Sequence, residues 1–119
     1  GRWVICDRFT DSSRAYQGAG RGIDMAVIDE LADLVHGDLW PDLTILLDAP
    51  VDVGMARASR RGVPDRFESE RAEFFERVRA GYLQIAAAEP LRVTLVDASR
   101  ELGVVREDID RIALQLLDN

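Results

Sequence analysis

A chain of 119 residues, 47% hydrophobic and 31% charged, is long enough for one domain with a real core and too short for two ordinary ones. A formal charge of −7 argues against a broad basic face for nucleic acid, and no apolar stretch approaches the roughly 20 residues a membrane helix requires, so neither partner is expected. The single Cys6 cannot close an internal disulfide and no signal-peptide pattern opens the chain, which makes a reducing cytoplasm the expected location.

In chain order, the first element is an apolar run from Trp3 to Cys6; similar runs recur from Leu43 to Leu47 and from Val93 to Val96, each followed at once by an aspartate (Asp7, Asp48, Asp97). Continuous hydrophobicity of this kind predicts strands buried on both faces of a parallel sheet. Ser12 or Ser13 is expected to begin a short helix, and the glycines of "GAGRG" read as the connection that follows it. Asp24 caps a predicted helix carrying Val27, Ile28, Leu31, Leu34 and Val35, which stops at Gly37. Pro50 and Asp52 suit the start of another, running through Met55 and Ala58 to Arg61 and Gly62. A polar segment follows, then a longer helix from about Glu70 to Ala88 ended by Pro90. The last strand leads to a helix over roughly Val104 to Leu117. The order is that of an α/β domain with right-handed crossovers.

Ligands of such sheets bind at the carboxyl ends of the strands. Arg8, directly after a strand end, offers a planar fork for two phosphate oxygens. Hydroxyls and free N–H groups at Ser12 or Ser13 would lie near the same anion, with Tyr16 and Gln17 one turn further to stack on and read a nucleoside. Spacing alone does not favour this pocket over a surface loop in which Arg8 pairs with Asp7 or Asp11. Asp48 reads as a turn or cap residue, and Tyr82 as part of the apolar stripe of its helix. All 15 cationic residues are arginine, so any arginine cluster is discounted as compositional habit.

The run "VICDRFTDSSRAYQGAGRGID" resembles the signature of thymidylate kinases, and the likeness continues through "GDLWPDLTILLDAPVDVGMARASRRG", "DRFESE" and "FFERVRAGYLQIAA". The resemblance implies a P-loop NTPase-like parallel sheet flanked by helices, of the nucleoside monophosphate kinase type. It implies phosphoryl transfer from ATP to dTMP with Mg²⁺, in a homodimer. Carried over residue by residue, Arg8 would hold the dTMP phosphate, and Asp7 would sit near the phosphates and metal-bound water without ligating the metal directly. Ser13 and Gln17 would contact the thymine edge, and Tyr16 would pack against the deoxyribose and disfavour a 2′-hydroxyl. The segment of about 57–70 would be a lid, with Arg61 first and Arg57 second as its catalytic arginines, while Asp65, Arg66 and Glu68 latch it. Ala98 and Ser99 would line the adenine site.

A kinase of this type needs G-x-x-x-x-G-K-[ST] behind its first strand, and a chain without lysine cannot hold it. The expectation is therefore that residues 1–119 are the carboxyl-terminal part of a single thymidylate kinase domain, inactive alone. The remainder would supply the phosphate loop and a strand between the Trp3 and Leu43 strands, without which apolar edges stand open. Two alternatives stay open: another nucleoside or nucleotide kinase of the superfamily, or a non-catalytic assembly module using a face such as Val27, Leu31 and Leu34.

Overall fold

The computed structural model describes residues 1–60 and 68–118. Helix α1 (Thr10–Ser13) continues without a break into a wide-turn π-helical segment (Arg14–Gly20). Then come α2 (Met25–Val35), β1 (Thr44–Asp48), α3 (Val51–Ser59), α4 (Glu68–Ala88), β2 (Val93–Asp97) and α5 (Leu102–Leu117).

The Asp24 cap forms as expected: its carboxylate accepts from the Ala26 N–H at 3.0 Å, satisfying one of the free donors at the start of α2. Gly37, at φ 55°, takes the left-handed turn that carries the chain away from the helix end. β1 and β2 pair in parallel, Thr44 against Val93 through Asp48 against Asp97. Val96 joins Val105 and Ile112 of α5 in a buried cluster that also takes in Leu43, Ile45 and Ile109, so α5 covers one face of the sheet. Helix α4 packs on both strands and on α3, giving an α/β/α layering.

Two expectations are corrected. Residues 3–6 form no strand: Val4 and Ile5 are 83% and 99% exposed, because β1 and β2 pair with each other and no described strand offers this run a ladder for its N–H and C=O groups. The helix expected at Ser12 or Ser13 starts earlier, at Thr10, and the first glycines of "GAGRG" lie inside the helical segment instead of connecting it. Their role is close approach. A methyl group built on Gly20 would stand 2.7 Å from Phe74 and 2.9 Å from Val78, and one built on Gly81 of α4 would stand 2.6 Å from Ala19. Small residues on both sides let the π-helical segment lie directly on α4, with the buried Ala15 beside Gly81.

Candidate functional site

The chain turns into α1 at residues 7–9. Arg8 is held at φ 68°, in the left-handed region that side-chain-bearing residues rarely enter. That turn folds its guanidinium back over the segment that follows. Nη2 donates to the Tyr16 hydroxyl at 3.2 Å, and Cζ lies 4.9 Å from the centre of the ring, a cation–π contact. Phe74 and Tyr82 of α4 border the same ring at 6.1 and 6.2 Å. The Tyr82 hydroxyl and Ser12 Oγ are hydrogen-bonded at 2.7 Å. Tyr82 therefore departs from its expected place in the apolar stripe: it is half-buried and its polar end is engaged. Burial pushes its phenol above the usual range, against the smaller opposing pull of Ser12, so it stays protonated in neutral solution.

Asp7 is exposed at the bend beside Arg8. Asp11 does not pair with Arg8, which removes one form of the surface-loop reading. It is 6% exposed and takes both arms of the Arg92 guanidinium at 2.8 and 3.0 Å. Arg92 also donates to Glu89 and to Thr44 Oγ1, and Arg14 reaches Asp29 at 2.9 Å and Glu89 at 3.4 Å. The guanidinium groups of Arg14 and Arg92 both approach the Trp40 ring, 4.8 and 5.2 Å from its centre. The hydrogen bonds from Arg92, with the charge of Arg14 added, hold the Glu89 carboxyl below its ordinary value. This network ties the start of α1 to α2 and to the head of β2.

Ser13 and Gln17 are exposed on a different flank of the helical segment. They border a groove of about 390 Å³ shared with Ile23, Val27, Leu31 and His36. Arg8 and Tyr16 are thus in contact, while Ser13 and Gln17 look onto the α2 side.

A second cluster forms at the far end of the sheet. Arg57, in the last turn of α3, donates from Nη1 to the Ala98 carbonyl at 2.6 Å and from Nη2 to the Ser99 carbonyl at 3.1 Å. A groove of about 450 Å³ adjoins it, walled by Leu47, Arg100, Leu102 and Val105. The Ser99 N–H and hydroxyl both donate to Asp97, closing a tight turn after β2 and drawing the exposed Asp97 carboxyl below its usual range. Arg57 is thereby joined to two residues about 40 positions further along the chain, whereas residues 61–67, with Arg61, Asp65 and Arg66 among them, lie outside the described residues. Asp48 is corrected from a turn residue to an ion-pair partner: both its oxygens accept from Arg79 of α4, at 2.9 and 3.0 Å.

The Asp11–Arg92 pair and the paired arginines on Trp40 escape sequence reasoning. Their partners stand up to 81 positions apart, and the only signal, an abundance of arginine, does not say which ones fold inward. Among the described residues no group of three or more His, Cys, Asp or Glu side chains is disposed to hold a metal, and no helix is long and apolar enough to cross a membrane. Chemically, the first cluster offers a cation lying on an aromatic wall with hydroxyls beside it. The second offers a cation and main-chain carbonyls beside a groove.

A family model described as thymidylate kinase matches residues 1–109. The thymidylate kinase of Methylococcus capsulatus is 59% identical over 109 residues, covering 92% of this chain and 52% of that protein. The thymidylate kinase of Pseudomonas fluorescens Pf-5 is 55% identical over 118 residues, covering 99% and 56%. The crystal structure of thymidylate kinase from Ehrlichia chaffeensis superposes with a TM-score of 0.66 at 35% identity, over 92% of this chain and 48% of that one. The chain spans about half the length of the curated relatives it matches.

Proposed function

The chain belongs to the thymidylate kinase family, and we propose that it forms the acceptor side and part of the adenine site of an enzyme that phosphorylates dTMP to dTDP with ATP. The observation that carries this reading is the Arg8–Tyr16 contact: a guanidinium folded by its backbone onto an aromatic ring with hydroxyls at its edge. An arginine so placed grips a phosphate through two parallel N–H groups, and the ring beside it supplies a face for the sugar. Ser13 and Gln17, free on the neighbouring flank, are read as contacts to the thymine edge. Arg57 with Ala98 and Ser99 is read as the adenine end, where carbonyls and a cation flank a groove large enough for a planar heterocycle.

Phosphoryl transfer depends chiefly on placing donor and acceptor in line and on neutralising the charge that spreads over the transferring oxygens. Arg8 holds the acceptor phosphate against recoil, and Arg57 and Arg61 of the lid segment are read as the cations on the donor side. Mg²⁺ accompanies ATP in this reading. A hard cation of this size is commonly held by one or two carboxylates plus substrate phosphates, a pattern that the exposed Asp7 beside Arg8 fits, its contact running through water. Bound there, the ion would neutralise phosphate charge. The exposed apolar side chains of α2, Val27, Leu31 and Leu34, are read as the contact surface of a homodimer, and the location as cytoplasmic.

The test is Arg8→Ala in the full gene product. Removing a bidentate, charge-assisted grip worth roughly 3 kcal/mol lowers kcat/KM for dTMP by about 100-fold with the circular dichroism spectrum unchanged. A folded variant within threefold of the parent overturns the assignment. Competition among dTMP, dUMP, AMP and thymidine in the same assay identifies the acceptor, and preference for any other than dTMP overturns that part.

A further inference from the structure

Tyr16 sits in a stretch whose own backbone does little to hold its ring. The π-helical segment carries Gly18 and Gly20 just beyond it, and wide turns with glycine resist bending less than an α-helix does. What fixes the ring is its surroundings. Arg8 approaches from a short, strained turn. Phe74 and Tyr82 approach from α4, a helix of 21 residues packed on the sheet. Tyr82 differs from Phe74 in one respect: its hydroxyl is bonded to Ser12 Oγ at 2.7 Å, and Ser12 lies one turn before Tyr16 on the same segment. The ring of Tyr82 meets that of Tyr16 edge to face, at 83°, the geometry in which aromatic pairs attract. The functional reading gives Tyr82 no contact with either nucleotide, and full burial in a core does not account for it, since it is only half-buried.

We propose that Tyr82 is a positioning residue for acceptor choice: anchored to Ser12 and set edge-on against Tyr16, it fixes where the Tyr16 ring stops and so how much room remains at the sugar's 2′ position. The inference rests on the reading of Tyr16 as the residue that packs on the deoxyribose. Loss of the anchor lets the ring drift, which loosens dTMP and admits the 2′-hydroxylated analogue. The chemistry of transfer, set by the arginines and the donor nucleotide, is left in place.

The experiment uses the full gene product with Tyr82→Phe, which keeps the ring and deletes the anchor, and Ser12→Ala, which deletes the same bond from the other side. Both raise KM for dTMP about threefold to tenfold, the range that one ordinary hydrogen bond corresponds to. Both leave kcat within twofold and lower the preference for dTMP over its ribonucleotide analogue by at least about threefold. A purely structural role would lower the melting temperature without moving that preference. Values of KM and preference within twofold of the parent in both variants overturn the proposal, as does a change in kcat alone. Should Tyr82→Phe fail to fold, Ser12→Ala decides by the same criteria. Absence of dTMP phosphorylation in the unmodified protein overturns the functional reading itself, and with it this inference; activity in the parent without the shift in the variants overturns the inference alone.

Discussion

Substituting Gly81 by alanine tests the contact on which the site is built. The added methyl group would lie 2.6 Å from the Ala19 side chain and 3.4 Å from the Ala15 backbone, with ordinary contact beginning at 3.4 Å. Neither neighbour is a flexible side chain that can swing away, so α4 and the π-helical segment must separate by roughly 0.8 Å. Forced separation of a close-packed pair costs about 1–3 kcal/mol. Alanine returns up to about 1 kcal/mol through its higher helix propensity. The net expectation is a loss of about 1–2 kcal/mol, or roughly 4–8 °C in melting temperature for a domain of this size. Gly54 of α3, with nothing within 4 Å of an added methyl group, provides the internal comparison. Gly54→Ala gains the propensity term with no steric penalty and raises the melting temperature. Differential scanning fluorimetry of the purified protein, with urea unfolding for the free energies, measures both. A Gly81→Ala variant as stable as the parent, alongside a stabilised Gly54→Ala, refutes the close packing described for the two helices.

Asp11→Ala leaves Arg92, 14% exposed, without its bidentate partner but still bonded to Glu89; the expected loss is about 2–3 kcal/mol, below the full cost of breaking a buried pair. Replacing both partners by apolar residues, Asp11→Leu with Arg92→Met, recovers most of it, and a loss below about 0.5 kcal/mol in the single variant by urea unfolding would contradict the buried pair. The Glu89 carboxyl is held below its ordinary value of 4.5 by Arg92 and Arg14. A depressed value in the folded state contributes stability that is fully present above 4.5 and is lost as pH falls through the depressed value. The melting temperature of the parent therefore falls more steeply than that of Glu89→Gln as the solution is acidified below that point, and parallel curves would remove Glu89 from the acid response.

Local signals in the sequence specify single elements. Asp24 and Gly37 bound α2, and the apolar runs at 43–47 and 93–96 become the parallel pair, because capping, breaking and continuous apolarity act within a few residues. The run at 3–6 has the same composition but no strand, since strand formation also needs a partner for its backbone. The arginines divide in the same way. Arg57 reaches the carbonyls of Ala98 and Ser99, about 40 positions away. Arg92 and Arg79 turn inward to Asp11 and Asp48 for reasons that depend on which helices meet.

By itself the sequence determined the family, the α/β alternation and the residue types of the candidate site, because signature motifs and periodicity are properties of order along the chain. Only the tertiary structure decided that Arg8 lies on Tyr16, that Ser13 and Gln17 face the other flank, and that Tyr82 reaches the cluster from α4. The first follows from the left-handed turn at Arg8, and the last depends on the separation of two packed helices, which the small residues at 15, 19, 20 and 81 permit.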